Sequence, residues 1–286
     1  MKTKLILGIF ALLAAATLLS YSMLFSVPPH PQLTTMTPQG VTQTVSCYQQ
    51  DSPQAIDANG HLNVLVWNLY KQNRDNWRSA LDHFSAGRQL VLLQEASMDD
   101  ALKAWIDQGD WNGNQVEAFK AFESTAGVLN LASELPQKAC AYTELEPWIR
   151  LPKSGLYATY ALSNGETLAV VNIHAVNFTY GTQEYQHQLA KLVAALQKHQ
   201  GPMIIAGDFN SWSQARLQTI REALSGLGLQ EAAYQPDHRR RFINGLPLDH
   251  LFYRGLNLNA AQSPATDASD HNPLLLEFRL QTAPSS

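Results

Sequence analysis

Short apolar runs along this chain repeatedly end in, or lead away from, a polar residue. Asn68 follows residues 62–67, Glu95 follows residues 90–93 and His174 follows residues 167–173. Asp208 and Asn210 come after residues 203–206, Asp249 sits inside LDHLFY, and Asp270-His271 precede residues 274–280. Singly, most of these have ordinary explanations: Asn68 closes a strand or caps a helix, Asp208 and Asn210 build an Asx turn, and His174 is a satisfied core histidine. Glu95 and Asp249 are harder to account for, because a carboxylate beside apolar neighbours needs a cation or donors to offset its desolvation. Four carboxylates, two histidines and two asparagines at strand edges repel one another unless a divalent cation or a phosphate-handling task holds them together. Oxygen donors suit Mg2+, with Mn2+ as the alternative, and no Cys/His spacing of the zinc kind is present. Neither a nucleotide-cradling glycine motif nor a G-x-S-x-G elbow occurs, which leaves nucleophilic Ser and Cys mechanisms without support.

Elements must carry these residues to one place. From His61 onward, strand-like runs alternate with amphipathic helices. Helical spacing links Trp77, Ala80, Leu81 and Phe84, then Ala101, Leu102, Trp105 and Ile106. It returns at Tyr185, Leu189, Leu192, Val193 and Leu196, and over residues 215–224, where Ser211 or Ser213 is the N-cap. Residues 156–162 and 167–173 flank Ser163-Asn164-Gly165, in which Asn-Gly supplies the backbone of a tight hairpin. No fixed-period repeat divides the body, so residues 61–280 are expected to form one domain, with residues 281–286 as a tail.

The chain has 286 residues, 20 Lys+Arg against 24 Asp+Glu, and 45% hydrophobic residues. That balance excludes a disordered or collagen-like chain and argues against a surface coated in Lys and Arg for indiscriminate nucleic-acid binding, while leaving a local basic groove open. After Lys2 and Lys4 no charged residue appears before Asp51, and residues 5–27 are long enough to span ~30 Å of hydrocarbon. Residues 1–27 are therefore read as a signal anchor forming a transmembrane helix, or as a cleaved signal peptide. The lysines place the body on the extracytoplasmic, periplasmic side, membrane-anchored or exported after cleavage. Residues 28–60, rich in Pro, Thr and Gln, read as a tether. Cys47 and Cys140 leave a bridge and two free thiols both open.

The motifs WN at 67–68, QE at 94–95, NIH at 172–174, GDFN at 207–210, LDH at 248–250 and SDH at 269–271 resemble the endonuclease/exonuclease/phosphatase superfamily, of the deoxyribonuclease I-like fold. The likeness covers residues 62–279 in the superfamily's order, and WNLYKQ, VNIHAVNF, AGDFNSW and SDHNPLLLEF are most similar to its bacterial YafD-like branch. The resemblance implies an α/β (α+β) fold: a four-layer αββα sandwich of two mainly antiparallel sheets flanked by helices. It also implies that Glu95 ligates Mg2+, that Asn68 positions it or reaches its shell, and that Asp270 orients His271 and adds to the metal site. His174 and Asn210 would donate to phosphate oxygens, and Asp249 would support His174 or the metal. Whether Asp208 or His271 is the base stays open. Arg239, Arg240 and Arg241, the dense basic run of the body, are either solvated surface or a phosphate clamp, and Lys71 is a further candidate.

The function so implied is Mg2+-dependent hydrolysis of a phosphodiester in nucleic acid, or in a phospholipid or inositol phosphate head group, by an enzyme held at the membrane through its N-terminal segment. The alternatives are a phosphomonoesterase or sphingomyelinase-like lipid phosphodiesterase, and a catalytically silent, membrane-tethered binding domain. No protein partner is implied.

Overall fold

Strands buried on both faces read as continuous apolar runs, and alternation along them sends successive side chains into different layers. Val64, Val66, Leu90 and Leu92 meet Val170, Ile204, Ala206 and Leu251 in a central core between two sheets. Their neighbours Leu65, Trp67, Val91 and Leu93 point outward against helices Trp77–Ser85 and Asp100–Gln108. On the far side, Val171, Ile173 and Ile205 pack against helices Gln183–Leu196 and Gln214–Ser225. Each such side chain contributes roughly 1.5–3 kcal/mol on burial. Four layers, helix on sheet on sheet on helix, result. The computed structural model describes residues 2–51, 53–121, 124–179 and 181–281; most of the tail, residues 282–286, lies outside them.

The first sheet runs in the order Leu256–Gln262, Leu274–Leu280, His61–Asn68, Leu90–Ser97, Ser124–Ala132, Asn112–Ala121, Gln32–Thr37 and Gly40–Val45, with Phe25–Ser26 also pairing with Asn112–Ala121. The second runs Gln230–Glu231, Asp249–Arg254, Met203–Asp208, Thr167–His174, Pro152–Ala161, Lys138–Leu145 and Cys47–Gln49. Pairing is antiparallel except for one parallel pair in each: His61–Asn68 beside Leu90–Ser97, and Thr167–His174 beside Met203–Asp208. A helix crosses over within each parallel pair, as the geometry of parallel neighbours requires. The expected hairpin forms between Pro152–Ala161 and Thr167–His174, with Gly165 at φ +84°.

Two N-terminal expectations meet a different structure. Within residues 28–60, strands Gln32–Thr37, Gly40–Val45 and Cys47–Gln49 join the two sheets, and Leu33 is fully buried. Cys47 and Cys140 are disulfide-bonded across adjacent strands, closing a separation of 93 residues. The transmembrane-helix expectation is corrected: the N-terminal helix spans Lys2–Leu24, but among the described residues no helix is long and apolar enough to cross a membrane. Thr17, Ser20 and Tyr21 place polar groups in the second half of this helix, whereas residues 5–16 are wholly apolar. The Tyr21 hydroxyl donates to the Ile149 carbonyl at 2.9 Å, joining this end of the helix to the body.

Candidate active site

The two parallel strand pairs end on the same side of the sandwich, and their carboxyl ends deliver four of the expected residues. Asn68 closes one strand of the first pair and Glu95 lies near the end of the other, while His174 and Asp208 close those of the second. Register places His174 beside Asp208, and Asp208 beside Asp249 at the start of the antiparallel neighbour. Asp270 and His271 arrive from the turn before Leu274–Leu280. That turn is pinned by Ser269, whose hydroxyl donates to the Asn68 carbonyl at 2.7 Å and accepts from the His271 amide at 3.2 Å. The Trp67 indole N–H donates to the His271 carbonyl at 2.9 Å. Gly207 permits the tight approach of its strand to the neighbour, since a Cβ there would run into the Ile173 carbonyl oxygen.

Glu95, Lys153, His174, Asp208, Asp270 and His271 line one cleft of about 450 Å³. His271 Nδ1 lies 2.8 Å from Asp249 Oδ2, and its Nε2 faces Asp208 Oδ2 at 3.9 Å. Burial alone would lower the His271 pKa, but the charge and hydrogen bond of Asp249, with Asp208 and Asp270 behind, override that and raise it to about 10. Asp208 Oδ2 accepts from Asn68 Nδ2 at 3.0 Å, and Oδ1 accepts from the Asn210 amide at 2.9 Å. His174 Nε2 lies 3.5 Å from Asp208 Oδ2 and 3.7 Å from Glu95 Oε1, with the Lys153 ammonium 2.9 Å away. Burial, reinforced by Lys153, lowers the His174 pKa to about 4. Burial would raise that of Glu95, yet His174, Lys153 and Lys71 outweigh it and hold the carboxylate at about 2; Lys71 Nζ is 2.6 Å from its Oε2.

Three residues here take left-handed backbone conformations that are unfavourable for side-chain-bearing residues: Lys71 at φ 53°, Glu95 at φ 49° and Asn210 at φ 47°. Glu95 does so at a bulge between Leu93 and Ala96. Strain of this kind, about 1–3 kcal/mol each, persists where surrounding structure imposes it and clusters at functional sites.

Some expected partnerships are rearranged. Asp249, not Asp270, is the carboxylate on His271, and Asp249 does not pair with His174. The sheet register brings Asp249 beside Asp208 and under the imidazole, whereas the Asp270 carboxylate lines the cleft with its Oδ1 buried and lacking a hydrogen-bond partner. One Asn210 amide hydrogen is already engaged by the Ala175 carbonyl at 2.8 Å. Arg239 is tied into the body by Asp237 and Glu231 and stacks on Tyr234, while Arg240 and Arg241 line the cleft. Arg241 also pairs with Asp237 at 2.8 Å.

Sequence reasoning missed three supports. Gln94 and Asn172, quoted in motifs but given no role, bridge the two sheets directly beneath the site: Gln94 Nε2 donates to Asn172 Oδ1 at 2.7 Å, and Asn172 Nδ2 donates to Asn130 Oδ1 at 2.9 Å. Buried Arg216 donates to the carbonyls of Val176, Asn177 and Asn210 and lies over the Tyr185 and Trp212 rings, locking two site loops together. Lys153 reaches His174 from the neighbouring strand. The motif positions of Gln94 and Asn172 were a usable signal; nothing local marks Arg216 or Lys153.

The arrangement fits a hard divalent cation. Asp208, Asp249 and His271 bring one ligand-type atom each within 4.8 Å of one another; with His271 held protonated by Asp249 its ring has no free lone pair, so the carboxylates are the donors left for an ion. The partnerless Asp270 Oδ1 is a buried acceptor of the kind such an ion satisfies.

Two face-to-face mixed sheets with helices outside, and a buried Asp/His cluster at their shared end, define the α/β sandwich of the phosphate-ester hydrolases. The chain belongs to the Endonuclease/Exonuclease/phosphatase family, whose profile matches residues 65–271. It is 54% identical over 282 residues to a UPF0294 protein of Vibrio vulnificus, covering 99% of each chain. Among solved structures it is similar to an endonuclease/exonuclease/phosphatase from Beutenbergia cavernae, with TM-score 0.61 and 17% identity over 77% of this chain and 72% of that one. It is also similar to D. rerio TDP2 complexed with a single-strand DNA product, with TM-score 0.56 and 16% identity over 77% and 99%. Superfamily members are hydrolases acting on phosphate esters and generally use divalent metal ions.

Proposed function

We propose that this protein is a Mg2+-dependent phosphodiester hydrolase. The observation that carries the reading is the convergence of Asp208, Asp249 and His271 at the common end of the two sheets, with Asp208 and His271 lining the cleft and Asp249 behind the imidazole. Asp208, oriented by Asn68 and the Asn210 amide, holds the attacking water in line with phosphorus and takes its proton. Asp249 fixes the His271 ring so that Nε2–H, protonated over the neutral range, donates to a phosphate oxygen as charge grows on it. His174 and Lys153 bracket the phosphate from the other wall, and Arg240 and Arg241 stand at the mouth. Glu95 and Asp270 would hold Mg2+, which when bound neutralises phosphate charge and acidifies water.

A silent binding module is the weaker reading, because it has no chemical need for the backbone strain at Glu95 and Asn210 or for the buried Asp249–His271 pair. The Cys47–Cys140 disulfide supports placement of the body in an oxidising, extracytoplasmic compartment. The test is hydrolysis of bis(p-nitrophenyl) phosphate by the purified protein. Activity abolished by EDTA and restored by Mg2+ is expected; full activity in EDTA would remove the metal, and none on any diester would remove the enzyme.

A further inference from the structure

A second cleft, also of about 450 Å³, opens directly off the first and shares with it Glu95, Lys153, His174 and Asn177. Beyond that shared end its walls change character, being formed by Phe25, Phe119, Ala126, Ile149, Pro152 and Phe178. Phe25 and Phe119 meet edge to face with ring centroids 6.1 Å apart. Phe178 and Ile149 stand more than 40% exposed at its edge, an arrangement that leaves apolar surface in water unless something covers it. The volume falls within the roughly 300–1,000 Å³ range of ligand pockets, and an apolar wall with a few convergent polar groups is their usual lining.

The cations that line this cleft, Lys71 and Lys153, lie at its catalytic end, the first against Glu95 and the second against His174. One phosphate at that end is therefore matched in charge. A second phosphate farther along is not, since among the described residues the other acidic or basic side chain in the wall is the buried Glu146, whose Oε1 accepts from the Asn177 amide at 2.6 Å. A nucleic-acid strand needs a basic track for successive phosphates, whereas an apolar chain needs what the cleft provides, a surface that removes it from water.

We propose that the cleft receives the apolar portion of an amphiphilic phosphodiester, of the phospholipid class, whose phosphate lies at Glu95, Lys153 and His174. This inference rests on the phosphodiesterase reading and narrows its substrate. The gain comes from removing methylenes from water, so it belongs in substrate binding more than in the chemical step.

The experiment compares p-nitrophenyl methyl, hexyl and dodecyl phosphates, each below its micelle-forming concentration, using the full chain with Mg2+. The expected result is a rise in kcat/KM of about tenfold or more from methyl to dodecyl, carried by KM. The rise should shrink to within about threefold in Phe178→Asp and in Phe119→Ser, each variant being scored against its own methyl ester. The exposed Phe178 makes the first substitution safe for folding, so an unchanged chain-length dependence there overturns the proposal. A flat series in the unaltered protein overturns it as well and leaves the phosphodiesterase reading standing, whereas no hydrolysis of any member removes both. Preference for thymidine 5′-p-nitrophenyl phosphate over the dodecyl ester would overturn it in favour of a nucleic-acid strand.

Discussion

His174 and His271 face the same carboxylate, Asp208, from opposite walls of the cleft, and their surroundings push them in opposite directions. Both are nearly inaccessible to solvent, and burial lowers the pKa of each. His174 has an ammonium at 2.9 Å and falls to about 4; His271 has a carboxylate at 2.8 Å and rises to about 10. One imidazole is therefore neutral and the other charged across the neutral range. The difference shows that burial alone does not decide what each histidine can do in this cleft: at His174 burial is the larger cause and Lys153 adds to it, leaving a neutral bridge between Lys153 and two acids, whereas at His271 the charge of Asp249 overrides burial and the ring donates as a cation. Divergent titration within one site is a mark of acid/base work.

The sharpest way to break this asymmetry is to remove its charged member. His271→Ala should lower turnover on bis(p-nitrophenyl) phosphate by at least ~100-fold; because it also strands the buried Asp249 carboxylate, the urea midpoint should fall as well, and turnover is scored on protein whose circular dichroism shows it folded. Near-normal turnover would take His271 out of the mechanism. Asp249→Asn keeps the shape but deletes the charge that holds His271 protonated. Turnover should fall by about 10- to 100-fold, and the imidazole should titrate at lower pH by NMR; a titration that does not move would reassign the cause to Asp208 or Asp270. Glu95→Gln, on the opposite wall, should chiefly raise the Mg2+ concentration for half-maximal activity, by about tenfold. An unchanged metal titration would take Glu95 out of the ligand set.

How far this contrast was legible in the sequence differs between the two histidines. Both could be flagged, since each stands next to an apolar run in a motif whose order matches the family, and the strands and helices that carry them follow from periodicity. Their partners could not. Asp270 is adjacent to His271 in the chain, but partner choice is made by sheet register, which brings Asp249 across 22 positions beneath the ring. Lys153 lies 21 positions before His174 on the neighbouring strand, in a segment with no charge pattern of its own. The segment 28–60 looked like a tether because its strands carry Thr and Gln, and only pairing with the edges of existing sheets gives them a place. Arg216 is a similar case: a helical arginine reads as solvated until the loops whose carbonyls it binds have folded around it.

The smallest effect expected from the asymmetry is on stability against pH, and its sign differs for the two residues. The folded pKa of His174, about 4, lies below the ordinary value of ~6.5. The unfolded chain therefore binds a proton that the folded one refuses, and stability falls as pH drops from about 6.5 towards 4. His271, with a folded value of about 10, contributes stability that is complete below ~6.5 and is lost as pH rises through 10. At about 1.4 kcal/mol per unit, the acid-side loss from His174 is of the order of 3 kcal/mol. Lys153→Met removes the second cause of the His174 shift and leaves burial, so the urea midpoint should fall less between pH 6.5 and 4 than in the unaltered protein, with the alkaline limb unchanged. If the acid limb of the variant were as steep as before, the ammonium would not be what keeps His174 neutral, and burial alone would have to account for it.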